Sequence, residues 1–147
     1  MTIRKALLQD VEKIWELGDV KEFETSEDIV TFWPKSILEN CINKLDVMIL
    51  VLEEENIIIG FMITNINSSL KKAELENIYV MAEYRCQGYG KALLQRTIEE
   101  LAKLEIENVC AMSNDAVDFL LKNNFTKGNQ FYWMDLALSD RFIKENR

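Results

Sequence analysis

Two short stretches carry residue types from which chemistry is made. In AELENIYV, residues 73–80, Glu74 and Glu76 alternate with Leu75 and Asn77, so an undistorted strand turns both carboxylates to one side. In RCQGYGKALL, residues 85–94, Gly88 and Gly90 stand where an apolar, β-prone segment passes into a helical pattern. Glycine permits positive φ and removes the Cβ that would bar a close approach. At a helix start, unpaired backbone N–H groups and the helix dipole together favour an anion. The first stretch offers a general base. The second is a candidate phosphate cradle, or a tight turn that binds nothing.

Composition narrows the chemistry. The 147 residues contain no histidine, which excludes Ser-His-Asp and Cys-His catalysis and all imidazole metal sites. Proton transfer falls to Glu, Asp, Tyr, Cys, Lys, water or a terminus. Cys41, Cys86 and Cys110 are odd in number and widely spaced, fitting neither a disulfide framework nor a zinc cluster, so reduced and partly buried thiols and no metal are expected. A net charge of −8 disfavours nucleic acid and suits a cationic substrate. The longest apolar runs are much shorter than a membrane span and the first residues lack a signal-peptide core, so a soluble cytoplasmic protein is expected. One proline and no low-complexity run point to a single domain over residues 1–147.

Several elements must position these residues. TIRKA reads as a strand, and Leu7, Val11, Ile14 and Trp15 recur at helical spacing up to Gly18. Residues 20–32 are acidic and weakly periodic. Pro34 then fits a first helical turn before Ile37, Leu38, Cys41, Ile42 and Leu45. Residues 46–80 hold three β-rich runs with breaks too short for a helix, hence an antiparallel meander. From Gly90, the residues Leu93, Leu94, Thr97, Ile98, Leu101 and Ala102 form one apolar stripe. ENVCAM reads as a buried strand, DAVDFLLKNN as a short helix and QFYWMDLAL as a final strand. The predicted order is β-α-α-β-β-β-α-β-α-β, an α/β (α+β) chain whose mixed sheet contains a parallel pair formed by the fourth and fifth strands.

The glycine motif discriminates further. A P-loop needs glycine where Arg85 stands and Ser or Thr where Ala92 stands, and a dinucleotide fingerprint needs a third glycine at Leu93. Neither fits. RCQGYGKALL instead resembles the R/Q-x-x-G-x-G/A signature of the GNAT superfamily of acyl-CoA-dependent N-acyltransferases, through Arg85, Gly88 and Gly90. The likeness extends over nearly the whole chain: TIRKALLQDVEKIWEL resembles the family's opening strand and helix, LENIYVMAEYR its fourth strand and loop, and SNDAVDFLLKNNF its N-x-x-A-x-x-F-Y-x-x-x-G-F segment.

The resemblance implies the GNAT fold, with its fourth and fifth strands splayed, and acetyl-CoA or a related acyl-CoA as donor. It implies that the pyrophosphate lies on the backbone amides of Cys86, Gln87, Gly88, Tyr89, Gly90 and Lys91, with Arg85 near the phosphates, and that main-chain groups around Ile78, Tyr79 and Val80 pair with the pantetheine arm. Counted back from Arg85, Glu74 falls where histone-acetylating relatives carry their base and Glu76 where polyamine-acetylating relatives carry theirs. Glu76 is preferred, Glu74 is the alternative, and the Val80 N–H is the expected oxyanion donor. Both glutamates also read as ordinary solvent-facing strand residues.

The acid side departs from the pattern, because Leu120 stands where many GNAT enzymes carry a tyrosine that protonates the thiolate. The thiolate leaves unaided, or Tyr132, Tyr79 or Cys110 substitutes, or efficient catalysis has been lost. Ser113 aligns with the family's asparagine, although a one-residue shift brings Asn114 there as a cofactor contact. The expected function is transfer of acetyl to a primary amine, small and cationic or on a protein, by direct attack in a ternary complex. The alternative is an acyl-CoA-binding sensor with little turnover. The acceptor region implied by the resemblance carries Asp19, Glu22, Glu24, Glu27 and Asp28 beside Phe23, Phe32 and Trp33. A homodimer through the C-terminal strands is a further expectation.

Overall fold

The computed structural model describes residues 1–20, 24–26, 29–30, 32–111 and 116–128. The chain falls into two compact units, Met1–Asp115 and Ala116–Arg147. The first contains β1 (Thr2–Lys5), a 3₁₀ turn (Leu8–Asp10), α1 (Val11–Gly18), β2 (Glu24–Ser26), β3 (Ile29–Val30), α2 (Lys35–Cys41), β4 (Val47–Glu54), β5 (Ile57–Asn67), β6 (Lys72–Val80), a second 3₁₀ turn (Ala82–Tyr84), α3 (Tyr89–Lys103) and β7 (Asn108–Ala111). The second contains α4 (Val117–Lys122). Strand order in the main sheet is β1-β4-β5-β6-β7, antiparallel except for the parallel β6–β7 pair. The expected antiparallel meander and the expected parallel pair joined through α3 are therefore the frame of the sheet. The predicted final strand, QFYWMDLAL, lies outside the described residues.

Burial explains the centre of the sheet. Met48–Leu52 and Ile58–Thr64 are buried without alternation, the pattern of strands covered on both faces. On one face Ile49, Val51, Phe61 and Ile63 join Val11, Ile14, Leu17, Leu38 and Cys41 in a single cluster beneath α1 and α2. On the other, the Thr97 hydroxyl of α3 donates to the Leu93 carbonyl at 2.9 Å and lies 3.0 Å from the Met62 sulfur. Leu93, Leu94, Thr97 and Leu101 are the buried stripe, whereas Ile98 is left exposed at its margin.

Local geometry corrects three sequence expectations. The helix opening at Leu7 begins with a 3₁₀ turn of three residues per turn, which moves the apolar phase, so Leu7 and Trp15 are exposed and Leu17 and Gly18 are buried instead. A Cβ on Gly18 would fall 2.0 Å from the Phe32 ring, which is why glycine ends this helix. Pro34 is the N-cap of α2 with ψ 145°, and the helix stops at Cys41, leaving Leu45 exposed. Residues β2 and β3 form a small separate hairpin that weak periodicity did not reveal.

An ion network ties the sheet edge to α1. Arg4 donates to both carboxylate oxygens of Asp10, at 2.7 and 3.1 Å, and to Glu53 at 2.6 Å. The Leu7 amide donates to the same Asp10 carboxylate at 2.7 Å. Among the described residues, no helix is long and apolar enough to cross a membrane.

Candidate active site

The site is built on β6, which changes neighbours along its length. Over Lys72–Leu75 it is paired on both edges, by β5 and by β7, and the β7 ladder ends at the Leu75–Ala111 pair. Its pairing with β5 slips by one residue, from Ile63–Asn77 to Thr64–Leu75, leaving Glu76 as the extra residue of a β-bulge. Paired residues share a face, so Glu74 lies beside Asn65, Asn77 beside Ile63 and Tyr79 beside Phe61. Glu76 joins that face, because the Asn65 side-chain N–H donates to its carboxylate at 2.6 Å. The bulge therefore keeps Glu74 and Glu76 together, as expected for an undistorted strand, and brings Asn77 to the same face. The Asn77 side-chain Oδ1 accepts from the Trp33 indole N–H at 2.9 Å, which fixes the segment entering α2 against the bulge.

This arrangement sets the electrostatics. Partial loss of hydration pushes the Glu76 carboxyl above its ordinary range, the neighbouring Glu74 charge adds to the push, and the Asn65 hydrogen bond opposes it. Glu76 nevertheless stays exposed to solvent, so a proton can enter and leave. Cys110 stands opposite Glu74 in the parallel ladder, and partial loss of hydration followed by the Glu74 charge pushes its thiol up. It is held as a thiol. Cys41 is buried, but Cys86 and Cys110 are exposed, more so than expected, and all three are free.

Beyond Leu75 the far edge of β6 has no strand beside it among the described residues. The Met81 amide donates to the Ile59 carbonyl at 2.8 Å, which fixes the phase of the ladder. The Gly60–Val80 pair thus lies between ladder bonds, and the N–H groups of Ile78 and Val80 point away from β5, toward the open edge. Gly60 is required opposite Val80, since a Cβ there would sit 2.5 Å from the Tyr79 carbonyl oxygen.

The glycine turn follows directly. Cys86 and Gly88 both adopt left-handed backbone, with φ of 60° and 87°, and Gly88 is the N-cap of α3 with no side chain to cap the helix. Its backbone opens on space, with nothing within 4 Å of a built Cβ. Such alternation of backbone hand turns successive N–H groups into a concavity suited to an anion. Gly90 lies in the first helical turn with ordinary φ, so only Gly88 is there for its conformation. Tyr89 points elsewhere: its hydroxyl meets the Glu54 carboxylate at 3.3 Å and its ring stands edge-on to Tyr84. Gln87 donates to the Glu83 carbonyl at 3.0 Å, and Lys91 is exposed. The Arg85 Nε donates to the Val80 carbonyl at 2.8 Å, and its guanidinium lies over the Tyr79 ring. Asn114 and Tyr132 lie outside the described residues, as do Glu22, Phe23, Glu27 and Asp28. In α4 of the second unit, Leu120 is half-buried.

Asn65 and Asn77 are the polar residues of this face that the sequence did not single out. Their positions depend on the bulge, and no local motif announces it.

A profile of the acetyltransferase (GNAT) family matches residues 6–125, and the chain belongs to that family. It is an acyltransferase by this membership. Solved structures agree on the fold. PaiA N-acetyltransferase from Thermoplasma acidophilum, in complex with coenzyme A, is 25% identical with a TM-score of 0.76, covering 88% of this chain and 92% of that one. An aminoglycoside acetyltransferase from an uncultured soil metagenomic sample, in complex with sisomicin, is 20% identical with a TM-score of 0.70 over 90% and 95%. A ribosomal-protein-alanine N-acetyltransferase from Brucella melitensis is 13% identical with a TM-score of 0.74 over 92% and 98%. No curated protein sequence matches the chain.

Proposed function

We propose that the protein transfers the acetyl group of acetyl-CoA to a primary amine, on a small cationic molecule or a protein or peptide, by direct attack in a ternary complex. The observation that carries this reading is the placement of Glu76 on the bulge of β6, four residues before the outward N–H of Val80 and on the strand that leads into the left-handed turn at Gly88. The residues fit the donor: the turn at Cys86–Gly88 and the start of α3 offer amides to a pyrophosphate, and the open edge at Ile78–Val80 offers ladder groups to an amide-bearing arm.

Glu76 takes a proton from the attacking ammonium, directly or through water, and its raised affinity for a proton suits that task. The amine nitrogen then forms a C–N bond to the thioester carbon as the carbonyl π pair moves onto oxygen, the Val80 N–H stabilises that oxyanion, and its collapse breaks the C–S bond and expels the thiolate. The departing thiolate takes its proton from water or from the protonated Cys110. Glu74 holds a second negative charge beside the incoming cation. The face also carries Trp33, whose indole N–H is held by the Asn77 side chain and whose aromatic character favours a cationic acceptor. Residues 1–147 act as one functional domain on this reading, since the family match runs across both compact units. A cytoplasmic setting and a homodimer complete it.

The test is calorimetric titration with acetyl-CoA, followed by thiol release against aminoglycosides, polyamines and basic peptides. Binding with release that collapses in Glu76→Gln is the expected outcome. Binding without release on any amine would favour an acyl-CoA sensor, the reading that Leu120 supports because leucine has no proton to give.

A further inference from the structure

We propose that Arg85 is a positioning residue: its Nε–H caps the Val80 carbonyl and fixes the open end of β6, and this contact, not its charge on a phosphate, is its principal role. The inference rests on the acetyl-transfer reading of the same site.

The ladder phase makes the argument. Both the N–H and the C=O of Val80 point away from β5, toward the edge of β6 that has no strand beside it among the described residues. A strand edge left this way has an acceptor and a donor to satisfy. Arg85 supplies the missing ladder donor, at 2.8 Å, and leaves the Val80 N–H outward. The peptide between Val80 and Met81 is then held at both ends, its C=O by Arg85 and its N–H by the Ile59 carbonyl at 2.8 Å. The clasp therefore selects what the edge presents to a substrate, an N–H and no competing carbonyl from this residue.

The clasp has a fixed base. The guanidinium carbon lies 5.4 Å from the centre of the Tyr79 ring, a stacking contact that a planar cation makes well. Tyr79 stacks on Phe61, with ring centres 5.9 Å apart and planes 23° apart. Fully buried Phe61 packs on Phe32 at 5.5 Å, and Phe32 occupies the space that Gly18 leaves. Arg85 is thus bound to the strand through a stack of rings anchored in the core beneath α1. Of its guanidinium fork, Nε is committed to the Val80 carbonyl and the central carbon lies over the Tyr79 ring.

Charge and donor roles separate chemically. Glutamine places an amide N–H at the same number of bonds from Cα as the arginine Nε and carries no charge, whereas lysine keeps the charge but has no planar N–H at that position. Arg85→Gln and Arg85→Lys are compared by hydrogen exchange of the peptides covering residues 76–84 and by kcat and KM for acetyl-CoA in thiol release. Arg85→Gln is expected to retain amide protection at Tyr79 and Met81 and to hold kcat within about threefold. Arg85→Lys is expected to lose that protection and about tenfold or more in kcat, with KM for acetyl-CoA moving less. A lysine variant that behaves as wild type while the glutamine variant raises KM would overturn the proposal, as would unchanged protection in both. Should the wild type turn over no amine, the exchange data alone decide: the same contrast in protection upholds the clasp while the transfer reading fails.

Discussion

Two groups of carboxylates on the same sheet meet opposite treatment. Asp10, nearly buried, accepts two bonds from Arg4 and one from the Leu7 amide, and hydrogen bonding by Arg4 holds its carboxyl below the usual range against the cost of burial. Arg4 is in turn held more firmly protonated by Asp10 and Glu53. Glu76, more open to solvent, has one neutral donor and a like charge beside it, and its carboxyl is pushed up. Each charge in the first group is matched, and the result is a fastening between β1, β4 and the start of α1. In the second, two negative charges share a face and, among the described residues, neither is paired with a cation, which stores affinity for a proton or for an incoming ammonium.

The sharpest way to break this comparison is to remove a carboxylate from each group. Glu76→Gln is expected to lower kcat about 10²–10³-fold in thiol release at saturating acetyl-CoA, with cofactor affinity unchanged. Glu74→Gln should cost less than about tenfold, because its share is the field around Glu76. The reverse order would move the base to Glu74. In the matched group the loss appears in stability: Asp10→Ala should cost about 2 kcal/mol in urea unfolding, since charge-assisted bonds to Arg4 and a buried amide acceptor are lost. A cost below about 0.5 kcal/mol would mean that the network fastens nothing.

The two groups should also tilt stability against pH in opposite senses. Asp10, lowered on folding, contributes stability that is present above its unfolded value of about 3.9 and is lost as pH falls through its folded value. Glu76, raised on folding, does the reverse: in the window above the ordinary glutamate value the folded state binds more protons, so stability falls as pH rises. Unfolding curves from pH 3 to 8 should therefore flatten, relative to wild type, just above the ordinary glutamate value in Glu76→Gln and below the ordinary aspartate value in Asp10→Asn. If Glu76→Gln instead lost stability more steeply than wild type as pH rose above the ordinary glutamate value, the sign assigned to Glu76 would be wrong.

These differences mark where sequence reading succeeds. The strand, glycine turn and helix from residue 72 to 103 were legible because period-two and period-3.6 patterns meet at Gly88, a position whose φ of 87° demands glycine. The antiparallel meander was legible from the short breaks between its strands. The bulge at Glu76 was not, since an extra residue in one strand is defined only by its partner's register. For the same reason nothing in the β-rich run of β5 singled out Asn65, and Arg85 read only as a cation near the phosphates. The phase of α1 escaped because a 3₁₀ turn precedes it, so Trp15, placed on the apolar face by spacing, points outward beside Lys35.

Asn65 gives the finest test of the unmatched group. Its N–H on Glu76 favours the ionised carboxylate and so restrains the upward push from lost hydration and from Glu74. Leucine keeps the branched shape of asparagine, with bulkier methyl ends and no donor, and on β5 it would occupy a half-buried position with room toward solvent. Asn65→Leu should therefore raise the pH at which Glu76 ionises, and the acid limb of kcat/KM should move to higher pH with its plateau retained. On that limb the rate should fall about fivefold or less, the value of one hydrogen bond to the carboxylate. A limb that stays in place would mean that Glu76 does not set the pH dependence, and a limb that moves to lower pH would mean that Asn65 had been stabilising the protonated acid through its carbonyl oxygen.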